Sequence, residues 1–452
     1  MLKSYNSQIP KEALQIISTI EEAGYEAYIV GGCVRDMLMG RSPHDWDITT
    51  NAKPEKVKQL FKRTYDTGIQ HGTVTIVLSK EQYEVTTYRI EEDYKDFRRP
   101  EKVSFVEDIA LDLARRDFTM NAIAYHPNRG FIDPYHGKEH IENSIIRCVG
   151  DSTQRFSEDA LRILRAVRFS AQLGFSISKS TIVGIEQCKN LLEHISKERI
   201  RDEWMKVCIS PSPKHIQMFY ELDLLPYIIP EFIPAFTTSQ NHPHHIYNVA
   251  EHTLCGMEKV APDPILRITM LLHDIGKAYT KTTDKKGIDH FEGHAQKSVE
   301  LSGEILKRLR LDNASINDIL SLIKNHDYHL EHKITKLTIK RLLNEIGPGL
   351  FDKLMLVQEA DAKAQAPSKL KAKLKQIEEA KAYKDEIIKD KECYLIKQLA
   401  INGKDLIDNG FSPGKKIGEA LDRALLHVMK HPDQNHKEIL LNYLNSKKAK
   451  ED

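Results

Sequence analysis

Apolar residues recur at helical spacing over 11–23 (KEALQIISTIEEA), and Gly24 ends the run. YEAYIV then reads as a strand leading into Gly31-Gly32, and residues 33–39 begin a second helix. HDWDITT (44–50) alternates like a strand, and PEKVKQLF is helical after Pro54. GTVTIVLS and QYEVTTYR predict a hairpin around Lys80-Glu81. The pattern is that of a mixed α+β domain ending near residue 145.

Beyond Asp151 the alternation fades and helical periodicity takes over. FSEDALRILRAVRFSAQL predicts one amphipathic helix with Ser157 as a plausible N-cap. A Pro- and His-rich break at 226–245 marks a domain boundary, and a polar, Lys- and Ala-rich stretch covers 361–391. No internal repeat stands out.

Hydrophobic residues make up 40% of the 452, enough for sizeable cores. The net charge is only +1, which excludes a globally basic nucleic-acid coat protein. The positive excess lies in the C-terminal part. Six scattered cysteines without a Cys-x-x-Cys suit a reduced, cytoplasmic protein. The N-terminus has no apolar signal core, and no apolar run is long enough to span a membrane.

On a strand, Asp45 and Asp47 project from one face. Two adjacent carboxylates are costly unless cations neutralise them. A pair of Mg²⁺ ions would do so, and could bridge a nucleoside triphosphate and an attacking hydroxyl. Gly31-Gly32 lies between a strand and a helix, where phosphate oxygens can approach backbone N–H groups. Either feature alone is more often an ordinary strand end or turn; their proximity in sequence strengthens the functional reading.

The whole stretch GGCVRDMLMGRSPHDWDITT resembles the signature of class II tRNA nucleotidyltransferases and the related bacterial poly(A) polymerases. The resemblance implies an α+β N-terminal nucleotidyltransferase head of polymerase-beta superfamily type, followed by an all-α neck, an HD-containing body and a tail. The corresponding ranges are 1–145 for the head, 146–225 for a neck with a nucleotide-selecting helix, 226–335 for an HD domain and 336–452 for a helical tRNA-binding body and tail. Gly31 and Gly32 would hold the triphosphate, Asp45 and Asp47 the metals, and Arg35 would lie near the phosphates. LARRDFTMNAIAY (113–125) resembles a second block, in which Arg116 and Asp117 contact the nucleotide's phosphate and sugar and Asn121 supports them.

SEDALRILRAVRF places Asp159 and Arg162 three apart, with Arg165 and Arg168 following at the same step. Such a spacing also suits a surface ion pair and a solvated basic stripe. A fixed carboxylate and guanidinium can instead mimic a base edge, accepting from an exocyclic amine and donating to a ring acceptor. Cytosine and adenine offer that order of groups. Asp159 and Arg162 resemble the family's protein template for CTP and ATP, with Arg165 and Arg168 meeting phosphates. ERIRDEW (198–204) resembles a buttress for that helix, giving Arg199 and Glu203 supporting roles. YRIEEDYKDFRRPEKVSF (88–105) resembles the flexible loop of CCA- and A-adding enzymes, and its charged composition suits mobility.

A second constellation lies in HHIYNVAEHTL, LLHDIGKA, FEGHAQKSVEL and IKNHDYH. With 20 histidines in the chain, surface residues are the plain alternative. The apolar ITMLL before His273 argues for burial instead. Adjacent His273 and Asp274 can both reach one ion from a helix end, and the donor set suits Mn²⁺, Fe, Ni²⁺ or Mg²⁺. This block resembles an HD domain. The resemblance implies His273 and Asp274 as ligands, His252 or its rival His245 at the start, and His294, His326 and Asp327 completing one or two metals. Phosphatase and 2′,3′-cyclic phosphodiesterase activity follow from it.

Near the end, FSPGKKIGEAL joins Pro-Gly, Lys415 and Lys416 to a helix start, which is either a simple turn or a phosphate cradle. The family uses this region to grip tRNA. The resemblance therefore predicts CCA addition to the tRNA 3′ end from CTP and ATP, with no membrane partner and a monomer or homodimer as the assembly. An A-adding enzyme, a poly(A) polymerase, and an HD phosphohydrolase with a non-catalytic RNA-binding head are the rivals.

Overall fold

The structure is a computed structural model that describes residues 5–95, 99–241, 247–328 and 334–448. The chain packs as two compact units, Met1–Pro230 and Glu231–Asp452.

The first unit is built on a seven-stranded sheet of order β3-β4-β5-β2-β1-β8-β9. Its strands are β1 (Ala27–Val30), β2 (Asp47–Thr50), β3 (Thr64–Gly68), β4 (Thr73–Leu78), β5 (Glu81–Thr87), β8 (Ala124–His126) and β9 (Gly130–Ile132). Strand β2 runs parallel to β5 and antiparallel to β1, and the other neighbours are antiparallel. All four residues of β1 are buried, so its apolar run is a central strand. The β4–β5 turn sits on Ser79 and Lys80, both at positive φ, which suits the right-handed twist of a tight hairpin.

Strands β6 (Arg89–Lys95) and β7 (Arg99–Phe105) form an antiparallel ribbon apart from the main sheet. The expectation of a loop is corrected here. Glu91 pairs with Val103 and Arg89 with Phe105 in the ladder, so charged composition did not preclude strand pairing.

Three further corrections bear on the site. Strand β2 begins at Asp47, and Asp45 lies in the bend before it, exposed, so strand alternation does not place this residue. Residues 156–173 are not one helix. The helix Ser152–Glu158 is capped by Asp151, and a second helix covers Leu161–Leu173. Ser157 caps nothing: its hydroxyl donates back to Thr153 O within the first helix. Asp159 is therefore in the extended link between the two helices, at φ −143°. The helix Lys197–Cys208 packs behind them, with Trp204 edge-on to Phe219.

The second unit is helical, with short two-residue strands at Thr282–Thr283 and Asp289–His290. Side chains cap its helices as sequence rules dictate: Asn248 with Glu251 before Val249–Lys259, Asp263 before Pro264–Leu272, and Asp312 before Asn313–Asn325. The long helix Lys336–Lys363 is kinked at Gly347, which has positive φ, ahead of Pro348. Most of the polar 361–391 stretch is the helix Pro367–Lys389, whose Ile377, Ala380 and Ile387 enter a core with Leu342, Phe351 and Leu354.

Candidate active site and a second cluster of metal-ligand side chains

Strand β1 delivers the chain to Gly31, which has φ +83° and ψ −130°, and the helix Gly32–Leu38 starts at once. A side chain at Gly31 would meet Arg116 Nη1 at 3.0 Å and Asp47 Oδ2 at 4.0 Å. The glycine thus lets a guanidinium and a carboxylate approach one bare patch of backbone. Burial raises the Asp47 carboxyl above its ordinary range, Arg116 pulls it down, and Glu84, its register partner on β5, and Asp45 raise it again. A carboxylate so placed favours a cation beside it.

Around this point runs a polar chain. Arg35 donates to Asn121 Oδ1 at 2.9 Å, Asn121 donates to Asp117 Oδ1 at 3.1 Å, and Arg165 donates to Asp117 Oδ2 through Nε at 2.8 Å. Burial would raise the Asp117 carboxyl, but Arg165 and Asn121 hold it at about 2. Arg165 is thereby committed to Asp117. Arg168 is buried against Glu203 at 3.1 Å, and burial lowers its pKa to about 10. Arg35, Arg165 and Arg168 lie 5.3, 5.3 and 4.1 Å from the centre of the Phe169 ring, so three guanidiniums gather around one aromatic ring.

Asp159 and Arg162 are not bonded to one another in the way that helical spacing suggests. Asp159 receives both terminal nitrogens of Arg199, at 2.8 and 3.2 Å, and the Leu161 N–H at 3.1 Å. Arg162 donates to Glu158 Oε2 at 2.8 Å, to Arg155 O at 2.9 Å and to Arg115 O at 3.0 Å. The segment Arg115–Asp117 consequently touches both halves of the site. Its backbone and Asp117 hold the helix Leu161–Leu173, while Arg116 faces Gly31 and Asp47.

In the second unit, His252, His273, Asp274 and Asp361 form one group of donors, and Asp274, His294 and His326 form another. Within each group the ligand atoms lie within 4.8 Å of one another. Asp274 Oδ2 faces His252 at 3.4 Å and His273 at 3.3 Å, while Oδ1 faces His294 and His326, each at 3.6 Å. All four histidines place Nδ1 against a backbone carbonyl, those of Ala364, Met270, Phe291 and Ile323. Nδ1 then carries a proton in each, and Nε2 is the nitrogen that faces the carboxylates and would ligate an ion once its own proton is lost. Asp327 is paired with His294 at 2.9 Å and His326 at 3.2 Å. His245 lies outside the described residues.

His273 follows the last turn of its helix, Pro264–Leu272, which is how adjacent His273 and Asp274 reach one point. Burial alone would lower His273, yet Asp274 and Asp361 raise it to about 10. Asp361, near the end of the long kinked helix, is the residue that sequence reasoning missed. It belongs to no local motif, and the available signal was a carboxylate flanked by buried alanines, Ala360 and Ala362. In the tail, Lys415 and Lys416 open the helix Lys415–Lys430 after Gly414, and Lys415 is fully open to solvent with Glu419 3.7 Å away.

The sheet-based head with its helical continuation is the layout of the nucleotidyltransferase class. Residues 27–147 match the "Poly A polymerase head domain" family, 174–236 the polymerase A RNA and SrmB-binding-site family, and 293–444 the tRNA nucleotidyltransferase domain 2 family. The chain is 33% identical to the CCA-adding enzyme of Enterococcus faecalis, with 97% of each covered, and 35% identical to that of Ligilactobacillus salivarius, covering 98% of this chain and 97% of the relative. Similarity to the Lactobacillus helveticus CCA-adding enzyme reaches 50% over 47% of this chain, which spans about half (54%) of that relative. The solved Bacillus stearothermophilus CCA-adding enzyme in complex with CTP superposes with a TM-score of 0.73 at 29% identity over 98% of both chains. The chain belongs to the CCA-adding enzymes, the tRNA nucleotidyltransferases. No helix among the described residues is long and apolar enough to cross a membrane.

Proposed function

We propose that the protein adds C, C and A to tRNA 3′ ends from CTP and ATP, without a nucleic-acid template, releasing pyrophosphate. The observation that carries this is the segment Arg115–Asp117, which joins the Gly31–Asp47 pocket to the helix bearing Arg162 and Arg165. Asp45 and Asp47 fit magnesium, being carboxylates of which the buried one is left raised by its surroundings. When bound, the ions offset phosphate charge and polarise the reacting oxygens. Arg116 and the Gly31 backbone receive the triphosphate. Asp159 Oδ2, which accepts only one Arg199 nitrogen, retains acceptor capacity and takes the amine of cytosine or adenine, and Arg162 addresses the ring acceptor. Arg35 and the guanidiniums around Phe169 attract the phosphates. Lys415 and Lys416 contact the tRNA backbone.

Incubating the protein with CTP, ATP, Mg²⁺ and a tRNA ending at the discriminator base, then sequencing the 3′ ends, tests this. CCA ends are expected. A added only to CC-ending tRNA means an A-adding enzyme, long A-tails a poly(A) polymerase, and no extension a head without catalysis.

The second cluster supports a further reading as a metal-dependent phosphohydrolase centre of the HD type. Asp274 Oδ1 and His273 Nε2 are buried without a hydrogen-bond partner among the described residues, as ligand atoms of an ion site would be, while Asp274 Oδ2 is paired with Lys277 Nζ at 2.6 Å and His294 Nε2 with Asp327 at 2.9 Å. Imidazole and carboxylate donors suit Ni²⁺, Mn²⁺ or Mg²⁺. Such a centre would clear phosphate or 2′,3′-cyclic phosphate from damaged RNA ends. Hydrolysis of 2′,3′-cAMP with Ni²⁺ or Mn²⁺ is expected, and its absence from the parent protein would sink the reading.

A further inference from the structure

Asp112 lies on the helix Ile109–Ala114 and is fully buried, yet its two oxygens serve different places. Oδ1 accepts from Arg115 at 2.8 and 3.0 Å and from the Arg89 backbone N–H at 3.4 Å. Arg115 in turn donates to Glu91 Oε1 at 3.3 Å, which also takes Arg89 Nε at 2.7 Å. These partners are the base of the β6–β7 ribbon. Oδ2 accepts from Arg116 Nη2 and from Thr49 Oγ1, each at 3.4 Å. Thr49 is two residues beyond Asp47 on β2 and so shares its face of the sheet. Arg116 Nε is buried with no hydrogen-bond partner among the described residues, so Asp112 is the carboxylate that fixes this side chain against Gly31.

We propose that Asp112 is a positioning residue: it holds Arg116 in the nucleotide pocket through one oxygen and the base of the β6–β7 ribbon through the other, so that occupancy of the pocket and the setting of the ribbon are linked. This rests on Arg116 receiving the triphosphate. A buried carboxylate shared between two guanidiniums is rigid because each charge needs the other's partner in place. A ligand that draws Arg116 toward a phosphate redistributes the charge at Asp112, and the charged or backbone donors that share it among the described residues, besides the Thr49 hydroxyl, are Arg115 and the Arg89 N–H at the ribbon's base.

The test compares the parent protein with Asp112→Asn, Arg116→Ala and the double variant, after intrinsic fluorescence confirms folding. Asp112→Asn raises the KM for CTP about tenfold with a smaller fall in kcat, and adds nothing in the Arg116→Ala background. CTP slows amide hydrogen exchange at Arg89–Glu91 in the parent protein, and this protection is lost in Asp112→Asn. Arg115→Gln, which cuts only the ribbon side, abolishes the same protection and serves if Asp112→Asn does not fold. KM effects that multiply, or a parent whose ribbon base is unmoved by CTP, overturn the proposal. A parent that incorporates no CMP from CTP counts instead against the nucleotidyltransfer reading.

Discussion

Arg199 grips Asp159 with both terminal nitrogens, at 2.8 and 3.2 Å, across the gap between two helices. Asp159 sits in the extended link that ends the first helix; its N–H donates to Arg155 O and its carbonyl accepts the Arg162 N–H, so the helix backbones hold its main chain but not its carboxylate. Besides Arg199, the carboxylate is held by a bond from the Leu161 N–H. The orientation of the carboxylate proposed to read the base therefore depends on a side chain from a third helix. Arg199→Ala is expected to lower kcat/KM for CTP and ATP by about tenfold and to reduce discrimination against UTP, since a loosely held acceptor rejects the wrong base poorly. Steady-state kinetics with CTP, ATP and UTP decide it, and unchanged selectivity would remove Arg199 from the role.

Gly31→Ala separates backbone strain from crowding at the site. Its φ of +83° and ψ of −130° favour glycine, and the added methyl would meet Arg116 Nη1 at 3.0 Å. The substitution is expected to destabilise the unit by ~1–3 kcal/mol and to raise the KM for both nucleotides by about tenfold or more. Gly40→Ala is the control: its φ is also positive, +67°, but a methyl there meets nothing within 4 Å. It should share the stability loss without the change in KM.

Asp117 gives the first unit a specific acid sensitivity. Burial opposes its charge, but Arg165 and Asn121 prevail and depress its carboxyl from 3.8 to about 2. A depressed carboxylate stabilises the fold above its ordinary pKa and loses that contribution as pH falls through the folded value. The gap amounts to about 2 kcal/mol at neutral pH. Both tryptophans, Trp46 and Trp204, lie in the first unit, so their fluorescence reports its unfolding. Asp117→Asn should be less stable than the parent in urea at pH 6, with the difference shrinking between pH 4 and pH 2. A difference independent of pH contradicts the assignment.

What the sequence made legible was local. The strand β1 and the turn at Gly31 follow from short-range rules, and the structure has them, whereas the cap assigned to Ser157 falls to Asp151. The break at Asp159–Ala160 was hidden because apolar positions continue in helical register across it, through Phe156, Ala160, Ile163, Leu164 and Val167, all buried. The break is accompanied by tertiary bonds: Arg199 to Asp159, and Arg162 to the Arg155 and Arg115 carbonyls. The second cluster was legible where His and Asp are adjacent in sequence, at His273-Asp274. Asp361 was not, because a different helix supplies it.

Asp361 offers the cleanest separation of the two centres. It completes the inner donor group with His252, at 2.9 Å, and His273, at 3.5 Å, whereas the outer group of Asp274, His294 and His326 does without it. His252 and His273 are buried and His294 is partly exposed, so an ion held by the inner group would be shielded from solvent and one held by the outer group could exchange. Asp361→Ala removes an anionic ligand from the inner group while leaving Asp274 and its remaining partners. Metal analysis of the purified variant should show about one fewer tightly held Mn²⁺ or Ni²⁺ per chain, with affinity at the depleted position down roughly 10–100-fold. Hydrolysis of 2′,3′-cAMP should fall with it. CCA addition with Mg²⁺ should persist, because Asp361 belongs to the second compact unit and Asp45 and Asp47 to the first. Unchanged metal content would mean that the inner donors hold no ion and that their unpaired atoms have another cause.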